Sequence, residues 1–100
     1  MSELCLTLLC PSKLEEKLLD TLLVFPGISI ITSTQTAAHG MAHEQMSASE
    51  QVLGRSFVTQ VQALLMSKDQ ADMLTCLRQQ FSGTGLRYWI SPVLEAGEIL

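Results

Sequence analysis

The sequence predicts an α+β domain in which two helices cover one face of a four-stranded antiparallel sheet. Three observations lead to this fold class. Four short apolar or β-branched runs have strand length, two amphipathic stretches have helical spacing, and the six segments follow one another in the order βαββαβ. One hundred residues is the size of a single domain, so residues 1–100 are expected to fold around one core.

The first predicted strand is followed directly by the first predicted helix. Residues 3–10 (ELCLTLLC) have strand length and place leucines at alternate positions, while the opposite face is also largely apolar. Ser12 and Glu15 have the spacing of a capping box at the start of a helix. The apolar stripe of this helix is expected to contain Leu14, Leu18, Leu19 and Leu22.

The remaining elements repeat this order after a Pro–Gly pair ends the first helix. Residues 27–36 predict a second strand because they are rich in β-branched residues, and residues 55–66 predict a third. Ser67 and Gln70 repeat the capping box, and a glycine-rich turn precedes a fourth strand over residues 86–93. The buried stripe of the second helix is expected to contain Leu74, Leu77 and Phe81.

Two consecutive βαβ units are what a ferredoxin-like fold requires. Two helices cover only one face of such a sheet. The first, third and fourth predicted strands have bulky or apolar residues on both faces, so the uncovered face would present an apolar patch to solvent. A patch of this kind predicts self-association, and the alternative is that the tail folds back over the sheet.

Composition and charge argue against several classes of protein. The net charge is −4 and the six basic residues are scattered, so the basic stripe of a nucleic-acid-binding protein is missing. The first residues lack the features of a secretory signal, and the apolar runs are far too short for a membrane span. Three cysteines without zinc-type spacing fit a reducing compartment. We therefore expect a cytoplasmic protein that neither binds nucleic acid nor inserts into a membrane.

A long connection, residues 37–54, contains both histidines and two of the five methionines. Connections of this length are usually functional or disordered. Imidazole and thioether groups suit soft or borderline metals such as copper or zinc, and in a helical conformation His39 and His43 would lie one turn apart. The candidate ligands are His39, Met41, His43 and Met46. The alternative is a solvated loop in which these residues reflect composition alone.

Catalysis finds no support in the sequence. Because both histidines lie in one connection, no dispersed Ser/His/Asp or Cys/His set can be assembled. Gly83 and Gly85 precede a strand rather than open a helix, so they do not form a dinucleotide fingerprint. We therefore predict a protein that binds and signals and is not an enzyme.

Several segments resemble the PII signal-transduction proteins. The most specific is residues 83–93 (GTGLRYWISPV), and residues 10–15 (CPSKLE) and the long connection add to it. The resemblance covers nearly the whole chain. It implies a ferredoxin-like domain, a homotrimer, contact with partner proteins through the long loop, and adenine nucleotides in clefts between subunits. A nucleotide site here would include Gly83, Gly85 and Arg87.

The chain departs from the nucleotide-binding members of that family. Leu86 stands where they carry a phosphate-contacting lysine, and a triphosphate needs cationic donors. Nucleotide is therefore the second choice of ligand. More closely, the chain resembles a PII-like branch often encoded beside bacterial heavy-metal efflux pumps, which implies an efflux component as the partner of loop 37–54.

Together these features predict a PII-like regulatory protein whose 37–54 loop responds to a ligand, with a soft transition metal as the first choice. Two alternatives stay open. One is a nucleotide-responsive regulator of the same fold. The other is an adaptor subunit that binds no ligand and uses the loop for recognition.

Overall fold

The computed structural model describes residues 2–40 and 55–100. In chain order, the elements are β1 (Glu3–Pro11), a 3-10 turn (Ser12–Leu14), α1 (Glu15–Leu23), β2 (Ile28–His39), β3 (Arg55–Met66), a second 3-10 turn (Ser67–Asp69), α2 (Gln70–Phe81) and β4 (Arg87–Val93). The strands form one sheet in the order β2-β3-β1-β4, and each neighbouring pair is antiparallel. This topology confirms the predicted ferredoxin-like α+β fold.

The largest difference from the predicted strand bounds lies at the end of β2, whereas the other bounds differ by at most one residue. Strand β3 has the predicted bounds, but β2 extends to His39 and so includes residues 37–39, which the sequence analysis placed in the loop. These residues pair with residues 55–57 of β3. The ladder with a neighbouring strand thus overrides the low strand propensity of the two alanines. Residues 41–54, the rest of the predicted loop, lie outside the described part of the chain.

Both helices begin through a 3-10 turn rather than a capping box. The backbone N–H of Glu15 donates to the carbonyl of Ser12, and the N–H of Gln70 donates to the carbonyl of Ser67. At neither helix start does a side chain form a cap hydrogen bond. The prediction of two capping boxes is therefore wrong, because the backbone of the 3-10 turn already supplies acceptors for these N–H groups.

The side chains at the start of α1 bind the sheet instead. The Ser12 hydroxyl donates to the carbonyl of Phe57 at 3.4 Å, and the Thr59 hydroxyl donates to the Glu15 carboxylate. Thr59 is only 1 % exposed, so its polar group would be costly to bury without a partner. The carboxylate of Glu15 thus holds the helix start against β3.

The core lies between the two helices and one face of the sheet. The alternate leucines Leu6 and Leu8 of β1 are fully buried, as the strand pattern predicts. In α2 the buried residues are Met73, Leu77 and Phe81, spaced one helical turn apart, whereas Leu74 is only half-buried. Across the described residues, no helix combines the length and the apolar character that crossing a membrane requires.

The sheet face turned away from the helices is called the open face here. At its centre Thr7 is buried and accepts a hydrogen bond from the Gln62 amide at 3.3 Å. Trp89 is the cross-strand neighbour of Thr7 and is 48 % exposed, and Ile30 is 55 % exposed. The open face is thus polar at its centre with large apolar side chains around it, which is less uniformly apolar than the sequence predicted. By strand register, its apolar members include Cys5, Leu9, Ile30, Val58, Leu64, Met66, Trp89 and Val93.

Candidate functional site

A two-stranded arm extends beyond the rest of the sheet. Strand β1 pairs with β3 only as far as Val58. Beyond that point, among the strands that the structure describes, residues 37–39 of β2 pair with residues 55–57 of β3 alone. We call these six residues the hairpin arm. Within residues 2–40 and 55–100, no third strand pairs with the arm, and the hydroxyl of Ser12 donates to the carbonyl of Phe57 at its base.

Only one of the four predicted metal ligands lies in the described structure. His39 is the last residue of β2, is exposed, and lies opposite Arg55 in the arm. Met41, His43 and Met46 lie outside the described residues. Within residues 2–40 and 55–100, no three His, Cys, Asp or Glu side chains are grouped so that they could hold a metal ion. The four-ligand set therefore stays a prediction, with one member placed at the end of the arm.

The glycine loop between α2 and β4 borders a groove on the helix side of the sheet. Gly83 and Gly85 have φ angles of 77° and 88°, a conformation that glycine adopts without strain. The N–H and the hydroxyl of Thr84 both donate to the carbonyl of Phe81, at 3.2 and 2.6 Å, which fixes the loop on the end of α2. We call this cavity of about 160 Å³ the glycine-loop groove. Its walls include Leu8, Leu74, Leu77, Phe81, Gly83, Gly85 and Leu86.

The structure separates Arg87 from the two glycines with which it was predicted to act. Arg87 is the cross-strand neighbour of Leu9, so it lies on the open face, while the groove lies on the other face. The cation at the groove is Arg78, whose guanidinium donates to the Tyr88 hydroxyl at 3.5 Å. Strand alternation, which can be read from the sequence, places Tyr88 on the helix side. The position of Arg78 beside Tyr88 depends on how α2 packs against β4, so the sequence alone could not predict it.

The chemistry of the groove suits an apolar group next to an acid. Leu86, at the position where the PII resemblance implies a lysine, forms part of its wall. A triphosphate would find one guanidinium and otherwise mainly leucine and phenylalanine side chains there. The groove therefore matches an apolar ligand carrying one carboxylate better than it matches a nucleotide.

The buried thiol of Cys10 belongs to the core. Burial, together with the nearby Glu15 carboxylate, raises the pKa of Cys10 to about 11. The thiol is therefore protonated at neutral pH, and it lies 3.3 Å from the carbonyl of Pro11, to which it donates. A protonated, buried thiol is a poor nucleophile, so Cys10 is a structural residue.

A surface depression also lies between α1 and α2, and one of its charged residues, Lys17, has structural partners. It is lined by side chains of both signs, including Lys17 and Asp20. The Lys17 ammonium lies 4.9 Å from the centre of the Phe81 ring and donates to the carbonyl of Gln80 at 3.2 Å. The hydroxyl of Thr21, a further residue of this depression, donates to the side-chain carbonyl of Gln80 at 3.2 Å. These contacts join the two helices, and the balanced charge favours no particular ligand.

Comparison with known proteins finds one family and one solved fold of note. A family described as "Protein of unknown function (DUF3240)" matches residues 1–100. The chain is also similar to the crystal structure of a DUF3240 family protein from Shewanella baltica OS155, with a TM-score of 0.82 and 19% sequence identity. That alignment covers 100% of this chain and 99% of the other. No curated protein matches the chain.

Proposed function

The chain belongs to the DUF3240 family, and from its fold and its hairpin arm we propose that it is a cytoplasmic regulatory protein of the PII type and not an enzyme. The arm is the observation on which the proposal depends. It extends the sheet by a pair of strands with which no third strand pairs in the described residues, and its end is formed by His39 and Arg55. Contact segments on a rigid scaffold are typical of binding proteins. Residues 37–54 would thus contact the partner protein.

Self-association through the open face is part of this proposal. Trp89 and Ile30 are about half exposed on that face, and half-exposed apolar residues around a polar centre suit an interface between copies. The PII resemblance makes a closed homotrimer the expected assembly. In a ring of three, each arm would remain accessible at the edge of its own sheet.

The ligand we propose is a soft transition metal ion, copper or zinc, held by His39, Met41, His43 and Met46. The exposed position of His39 at the end of the arm supports this choice, since its imidazole is accessible to an ion. A metal bound by these side chains would change the contact that residues 37–54 make with a partner, and a ligand-dependent contact segment is a standard switching device. A component of a heavy-metal efflux system is the partner that the resemblance implies.

A nucleotide is the alternative ligand. The nucleotide would bind near Gly83 and Gly85. Strand β4 places Arg87 on the open face, so the Arg87 that contacts the nucleotide would have to come from a neighbouring copy. The adaptor without ligand is the other alternative. It needs only the hairpin arm and the open face.

Calorimetric titration with copper(I), zinc and ATP in turn tests the choice of ligand. We expect saturable binding of one metal, abolished in the double variant His39→Ala/His43→Ala, which removes both histidines of the chain. The matched control is Gln35→Ala, an exposed residue of β2 before the arm, which should bind as the unaltered chain does. Binding of ATP alone would support the nucleotide alternative, and the absence of binding for all three would contradict both proposed ligand classes and favour the adaptor.

A further inference from the structure

The segment after β4 exposes an unusual amount of apolar surface. Residues 94–100 form neither helix nor strand, and the side chains of Leu94, Ile99 and Leu100 are 102%, 98% and 108% exposed. We call this segment the tail. Three large apolar side chains left in water forgo the stabilisation that burial would give them. A surface that covers the tail is therefore to be expected.

The glycine-loop groove offers a matching surface in size and charge. Its volume of about 160 Å³ is close to the ~150 Å³ of an apolar cavity that accepts benzene, so it has room for one leucine side chain. Successive side chains of an extended segment alternate, which puts Glu98 and Leu100 on the same face of the tail. With Leu100 in the groove, Glu98 lies beside its rim, where Arg78 supplies a guanidinium. Arginine and carboxylate form strong charge-assisted hydrogen bonds.

The tail and the groove of one chain lie at opposite ends of β4. The groove is next to the start of the strand, at Gly85 and Tyr88, whereas the tail leaves from Val93. Six residue steps of strand separate these ends by about 20 Å. Residues 94–96 line a surface depression together with Ser2 and Glu3, at the end of β4 remote from the groove, and all residues of the tail are exposed. A second copy is therefore the occupant that the geometry favours.

We propose that the tail of one copy docks in the glycine-loop groove of the next copy, with Leu100 in the groove and Glu98 paired with Arg78. Such a contact joins different surfaces of two identical chains, and repeated around an axis it closes a ring. The docked tail buries one leucine side chain and one ion pair, which is much less surface than the roughly 1,200 Å² of total buried area found in stable interfaces. It therefore strengthens the contact through the open face and does not replace it. The inference shares only self-association with the proposed function and is independent of the ligand.

Charge reversal tests the pairing directly. The dissociation constant of the oligomer is measured by sedimentation equilibrium for the full chain and for Glu98→Arg, Arg78→Glu and the double variant. We expect each single variant to raise the dissociation constant at least about tenfold, as loss of a desolvated charge pair does, and the double variant to restore it. Leu100→Asp should weaken the oligomer by a similar factor. Circular dichroism checks that each variant keeps its fold.

The matched control is Glu95→Arg, the same change on the opposite face of the tail, which should leave the dissociation constant unaltered. Weakening by Glu98→Arg without recovery in the double variant would overturn the pairing. Unaltered association in both Glu98→Arg and Leu100→Asp would overturn docking of the tail between copies while leaving a trimer through the open face intact. A chain that is monomeric at every concentration would overturn the inference as well, whereas its metal binding would be judged separately by calorimetry.

Discussion

At the scale of single residues, Cys10 shows how burial changes chemistry. The side chain is fully buried, and both its burial and the Glu15 carboxylate disfavour the thiolate, so its pKa rises from 9.0 to about 11. The unfolded chain loses this proton at lower pH than the folded chain does. The contribution of Cys10 to stability is therefore complete below pH 9 and is lost as the pH rises toward 11.

We expect the free energy of unfolding to fall by about 2 kcal/mol between pH 9 and pH 11 because of this group, with each pKa unit worth about 1.4 kcal/mol. Urea denaturation at several pH values in this range measures the fall. Other groups titrate there too, so the informative quantity is the difference from Cys10→Ala, which lacks the thiol. Parallel pH profiles for the two chains would contradict the raised pKa.

At the scale of elements, the turn between α1 and β2 is fixed by packing as well as by conformation. Gly27 has a φ angle of +94°, which favours glycine. A methyl group added at this position would also overlap the carboxylate of Asp69, in the 3-10 turn before α2. The turn at the end of the first βα unit thus packs closely against the helix start of the second.

Substitution of Gly27 by alanine should lower the free energy of unfolding by about 1–3 kcal/mol, because the backbone strain and the overlap act together. Urea denaturation measures this change. Adding Asp69→Ala to the Gly27→Ala variant should restore the part of the lost free energy of unfolding that comes from the overlap. The matched control is Gly97→Ala, where an added methyl meets nothing within 4 Å and which should have no effect. Equal stabilities for the two alanine variants would show that the turn tolerates a side chain.

At the scale of the whole molecule, the sheet separates two environments. One face packs against both helices and holds the core, while the open face combines a part-buried Thr7–Gln62 hydrogen bond with half-exposed Trp89 and Ile30. Trp89 is the one tryptophan of the chain, so its fluorescence reports on that face alone. This provides a test of self-association that is independent of the tail.

If copies associate through the open face, we expect the emission maximum of Trp89 to move to longer wavelength on dilution, as the indole becomes exposed to water. Leu64→Glu places a charge on the same face and should give the long-wavelength emission at all concentrations. Gln79→Glu adds the same charge on the exposed surface of α2 and should behave as the unaltered chain does. Emission that is independent of concentration in the unaltered chain, at the wavelength of Leu64→Glu, would contradict association through this face.

Sequence alone determined the elements and the glycine loop. The alternation of leucines in residues 3–10 and the bounds of β3 follow from side-chain periodicity, which is a local property of the chain. A glycine-rich turn was predicted before the fourth strand, and Gly83 and Gly85 have the positive φ angles of such a turn. That they take part in a binding site stays a prediction. Of the predicted metal ligands, the structure describes only His39.

Tertiary structure decided the features that depend on distant segments. Strand β2 continues to His39 because β3 supplies a partner for each residue, and the Ser12 hydroxyl binds Phe57 instead of capping its helix. Packing also decides which cation lies at the groove: it is Arg78 of α2, and not Arg87, which is closer to the glycines in sequence. Sequence spacing defines which face of its own element a side chain occupies. Which side chain of another element meets it there is set only when helices and sheet pack together.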